Sequence, residues 1–180
     1  MSKLSPYRQL PAARRVQLLT HAIASNRDAR SLYVDRLVAR GRGFRAVTLK
    51  GWSPVRLAAE VVRTNAENSH DELELLQLHY VDLEPAIQIT FPDAAGVEHD
   101  NGRMGESLEP PYANTESVVR GAAAVLERHG ADGVHYLRTI ARYSPGAWPG
   151  IETVIAALDA QLPASGQRTA GSGQRVAGSG

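Results

Sequence analysis

Arg40, Arg42, Arg45 and Lys50 crowd one short stretch around Phe44, within ARGRGFRAVTLKGWSP, and Arg36 lies one helical turn before Arg40. Guanidinium forks bind phosphate or carboxylate in a flat two-point fashion. The run is therefore a candidate surface for a polyanion or for an acidic protein partner. Nothing beside it supplies a reaction. The chain contains no G-x-S-x-G elbow, phosphate loop or dinucleotide fingerprint, and no cofactor is implied. It also has no cysteine, which removes thiolate nucleophiles, disulfides and thiolate-bound zinc together.

Other spacings fail on chemistry. RGFRAVTL can be laid on the first signature strand of RNA-recognition domains, but Ala46 and Leu49 stand where base-stacking aromatics are needed. A helix-turn-helix over residues 53–76 would turn Asp71, Glu72 and Glu74 toward phosphates, so its sign is wrong. Glu67-x-x-His70 has the spacing of a di-iron ligand pair, yet no second such pair exists. Asp93, Glu98, His99 and Asp100 gather in DAAGVEHDNG, where turn residues already explain the pattern. His21, His79 and His135 lie scattered on helical segments, and His129 suits the last turn of a helix by its charge alone. No metal site follows from these.

The charge is strongly segregated. Residues 1–65 carry a balance of +10, residues 66–116 a balance of −11, and the remainder +2, for a net +1. Of the 20 basic residues 18 are arginine, so bidentate pairing is available throughout. The basic helices and the acidic middle are expected to meet, inside one molecule or across a self-associated pair. On that reading the protein is a non-catalytic interaction module, an adaptor, regulator or assembly subunit with a protein partner. Two alternatives carry different chemistry. One is nucleic-acid or polyanion binding through the Arg-rich N-terminal third, and the other is an enzyme with its site near the acidic hairpin and His99.

The elements that must hold these groups can be read from periodicity. Residues 10–24 and 27–40 are predicted helices, the first with an Ala12, Val16, Leu19, Ile23 stripe. Ser53 and Pro54 open another, and Ser69 with Glu72 suggests a capping box at the start of the next. Helices are expected at 115–129, closed by Gly130, then at 133–143 and 151–162. Phe44–Leu49, Ala86–Phe91 and Val97–Asp100 alternate or are β-branched, which predicts three strands. The expected class is α+β, about six helices around a small, mostly antiparallel three-stranded sheet. In that sheet Ile89 would face inward and Thr90 outward. One domain is expected over 1–162, with a basic part (1–65), an acidic part (66–116) and C-terminal helices (117–162). Residues 163–180, which repeat SGQRTAG as SGQRVAG, are expected to be a flexible tail without apolar groups to bury. No run of about 18 apolar residues is present, so no membrane span is predicted, and a cytoplasmic location is expected.

Overall fold

A computed structural model describes residues 4–41 and 43–161 of the chain, and the tail and Arg42 lie outside the described residues. Among the described residues nine α-helices follow one another: α1 (Pro6–Gln9), α2 (Ala12–Ser25), α3 (Arg27–Ala39), α4 (Ala46–Lys50), α5 (Pro54–Arg63), α6 (Ser69–Leu78), α7 (Pro85–Ala95), α8 (Thr115–Tyr143) and α9 (Ile151–Gln161). A five-residue π-helical stretch, His79–Leu83, prolongs α6. Helix α2 packs mainly on α5, α7 on α8, and α8 on α9. Among the described residues no helix is long and apolar enough to cross a membrane.

Local rules account for several boundaries. Asn26 caps α3 by accepting from the Asp28 and Ala29 amides. Ser53 accepts from the Arg56 amide with Pro54 at the first helical position. Asn114 does the same for Ser117 at the start of α8. That helix breaks at Gly130, whose backbone is non-helical, so its two halves take separate directions. The first half packs on α7, and the second carries Tyr136, Thr139, Ile140 and Tyr143 at helical spacing.

The α+β expectation is overturned, because among the described residues there is no sheet. The only bridge pairs Asp100 with Arg103 across the Asn101-Gly102 turn. Phe44–Leu49 becomes a loop and the short helix α4, of which only Leu49 is buried. An isolated strand there would have left its backbone groups without a ladder. Val97–Asp100 is extended but pairs no further than that one bridge.

The instructive correction is Ala86–Phe91, the segment with the clearest alternation. It lies inside α7, opened by Pro85 at its first position. Ile87, Thr90, Phe91 and Ala95 are buried, which is an i, i+3, i+4, i+8 face, while Ile89 is half-exposed. Six residues with three large apolar groups satisfy either period, and packing selected the helix. Gly121 of α8 lets α7 come close: a Cβ there would sit 2.8 Å from the Phe91 carbonyl oxygen. The inward and outward assignments of Ile89 and Thr90 are thereby exchanged.

Likewise the capping box is not formed. Ser69 already lies in the first turn of α6 and its hydroxyl donates to Asn68 Oδ1. Glu72 is engaged elsewhere, as described below.

Phe91 is fully buried against Tyr136 and Trp148. Phe91→Ala should lower stability by about 3–5 kcal/mol through the cavity it leaves. Ile89→Ala should cost about 1 kcal/mol. Urea melts of the two variants measure the difference; equal losses would restore the strand-like alternation.

Candidate functional site

Three places in the molecule bring chemistry-bearing residues together. The first is an ionic hub at the start of α6. The Glu67 side chain has no exposure, and Asp71 and Glu72 are buried with it. Carboxylates removed from water need cations and donors around them. Arg8 of α1 meets Glu72 through Nε at 2.7 Å and Glu67 through Nη1 at 3.3 Å. It also donates to the Glu67 carbonyl at 3.0 Å. Arg15 of α2 reaches Glu67 Oε1 at 2.8 Å. Arg36 of α3 forks onto both oxygens of Asp71, one bond being 3.0 Å long. The Tyr7 and Tyr33 hydroxyls donate to Glu67 and Asp71 at 3.4 and 3.3 Å. Burial, then the adjoining carboxylates, push both phenols well above their ordinary range, so they remain donors. Arg15 Nε is buried without a partner among the described residues.

The hub decides where the sequence-derived surface goes. Arg36 belongs to it, and the Asp71 bond holds its guanidinium even more firmly protonated. Arg40 turns back onto the Thr64 and Asn65 carbonyls at the end of α5. Arg42 lies outside the described residues. Arg45 and Lys50 stand exposed at the two ends of α4, and Arg40 is exposed too but held by those two carbonyls. The stretch read as one surface is therefore divided between interior and exterior.

Second is the corner where α4 meets α5. Phe44 and Trp52 pack edge to face at 5.4 Å, and the Arg56 guanidinium lies 4.0 Å over the Trp52 ring. Arg30 of α3 braces this corner by donating to the Lys50 and Trp52 carbonyls at 3.0 and 2.5 Å. Around it Val47 is 77 % and Val55 58 % exposed, the first being the most exposed large apolar residue described. Arg45 and Lys50 flank the uncovered Val47 along α4, and Arg56 follows the uncovered Val55 at the start of α5.

The third place is a groove of about 630 Å³ between α6, its π-helical extension and the second half of α8. Tyr80, Tyr112, Tyr136, Tyr143 and Trp148 line it, four of the six tyrosines and one of the two tryptophans in the chain. Behind it sits a histidine pair. His135 Nε2–H donates to the Pro6 carbonyl at 2.6 Å, so its Nδ1 accepts from the Tyr80 hydroxyl at 2.5 Å. His79 is buried with Nδ1 unpartnered among the described residues. Its pKa falls to about 4, first through burial and then through the Arg14 and His135 charges, against a weaker pull from Glu84 and Asp132. None of the aromatic residues was singled out by sequence. The one available signal was the i, i+3, i+4, i+7 spacing of Tyr136, Thr139, Ile140 and Tyr143.

The acidic hairpin takes a structural role. His99 Nδ1 accepts from the Gly102 amide at 2.9 Å, which leaves Nε2 to donate to Asp93 at 2.9 Å. Gly102 has φ 81°, and a Cβ there would come within 2.4 Å of Gln88. The histidine thus closes the turn. Among the described residues no three metal-ligating side chains cluster, and the His70 side chain lies outside them. Comparison with protein-family models, curated proteins and solved structures finds no match.

Two outcomes follow from the hub and the histidine pair. Arg36→Gln should cost roughly 1.5–3 kcal/mol by stranding Asp71, whereas Arg45→Gln should stay within about 0.5 kcal/mol. Chemical denaturation of the two variants tests whether the basic stretch is divided. His79 is neutral in both folded and unfolded chains above pH 6.5. Below that, the unfolded chain binds a proton that the folded one refuses until about pH 4. Stability should therefore fall as pH drops from 6.5 to 4, by on the order of 3 kcal/mol. His79→Leu should flatten that portion of the pH profile; an unchanged slope would place the titration elsewhere.

Proposed function

We propose that this chain is a non-catalytic interaction module that docks an acidic protein partner on the α4–α5 corner. The reading is carried by the two uncovered valines, Val47 and Val55, among Arg45, Lys50 and Arg56. Protein interfaces join an apolar centre to a polar rim and favour arginine and aromatic groups. The Arg30 brace and the Phe44–Trp52 contact hold the corner in shape before any partner arrives, which lowers the ordering cost of binding. Polyanion binding is less well supported, since Arg36 is drawn to the buried Asp71 carboxylate and Arg40 is held by backbone carbonyls. The apolar centre is also a poor match for a phosphate backbone.

A photo-crosslinking residue in place of Val47, introduced in cells, tests this reading. A discrete protein adduct is expected. The complex rebuilt from purified components should weaken roughly three- to tenfold when Arg45 and Lys50 are both changed to Gln. An RNA adduct, or heparin retention that collapses in the same double variant with no protein adduct, would transfer the assignment to nucleic-acid binding.

A further inference from the structure

The aromatic groove has a charge imbalance that its own residues do not correct. Among the described residues Arg103 is the one charged residue lining it, and no carboxylate lines it. Its guanidinium makes no ion pair or hydrogen bond among the described residues. The turn that carries it is built firmly: backbone bonds join Asp100 and Arg103 at 2.9 Å in both directions, His99 receives the Gly102 amide, and the Gln88 side chain donates to the Asn101 carbonyl at 3.3 Å. The hydroxyls of Tyr112, Tyr136 and Tyr143 likewise make no hydrogen bond among the described residues. Burial raises the Tyr136 and Tyr143 phenols above their ordinary range, so both keep a proton to donate. Ring packing shapes the apolar part. Trp148 meets Phe91 edge to face at 4.8 Å and Tyr112 at 5.2 Å, and Tyr80 meets Tyr136 at 4.9 Å.

We propose that this groove binds a small aromatic carboxylate, its ring against Trp148, Tyr112 and Tyr136 and its carboxylate on Arg103. Three features select that class. The volume of about 630 Å³ lies within the range of small-ligand sites, roughly 300–1,000 Å³. Edge-to-face rings favour another aromatic ring over an alkyl chain. A lone guanidinium with unengaged phenol donors complements an anion, since every one of these groups donates. This site is separate from the α4–α5 corner and does not rest on the docking role assigned there.

Calorimetry with phenylpropionate and its neutral isostere phenylpropionamide tests the proposal on the full chain. Phenylpropionate should bind, with the amide about tenfold weaker. Arg103→Gln, at an exposed position, should bring the acid down to the amide, while Arg128→Gln should leave both unchanged. In a Trp52→Phe background Trp148 is the remaining tryptophan, and its emission should shift on binding. Equal affinity of acid and amide would overturn the assignment, as would indifference of the acid to Arg103→Gln. A silent Trp148, or no binding of phenylpropionate at millimolar concentration, would overturn it too.

Discussion

Glu67 is the constraint on which the arrangement turns. A carboxylate with no exposed side-chain surface needs compensating charge close by. Arg8 and Arg15 provide it from two different helices, and neighbouring Asp71 draws in Arg36 from a third. Helices α1, α2 and α3 are thereby gathered on the start of α6. Ion pairs of this kind add little net stability over an apolar core of equal volume, because desolvation offsets most of the attraction. What they add here is discrimination: any other placement of the first three helices leaves a buried charge unmet. The segregated charge of the sequence becomes a device of assembly.

That explains why the basic stretch could be noticed in the sequence but its destination could not. Helical spacing places Arg36 and Arg40 one turn apart, yet it is silent on a carboxylate 35 residues away. The helices α2, α3, α5 and α9, and the break at Gly130, follow from caps, prolines, glycines and apolar stripes, which act within a few residues. Ala86–Phe91 escaped because its apolar groups fit both periods, and the choice lay with Gly121 on a distant helix. The groove escaped for the same reason. Tyr80, Tyr112, Tyr136 and Trp148 are far apart in sequence and become neighbours only in the folded chain.

The two surfaces differ in kind. At the corner, apolar surface stands in water with cations around it, and the fold leaves it uncovered. In the groove, aromatic rings pack on each other and the unmet group is a guanidinium at the rim. Both depend on short polar braces. Arg30 stiffens the corner, and His99 closes the turn beside the groove. His99 braces the turn that carries Arg103.

The π-helical stretch His79–Leu83 has a bearing on how the chain tolerates change. Such a turn holds about one residue more than the α-helical path it replaces. Losing one residue there would turn the end of this helical stretch by about 100° before the chain leaves it at Glu84, since each residue advances an α-helix by that angle. Substituting the exposed Asp82 alters only a local surface, whereas His79 and Tyr80 are buried. A change of length would swing Tyr80 away from His135 and shift α7 against Gly121. In this segment the number of residues is constrained as well as the identity of His79 and Tyr80.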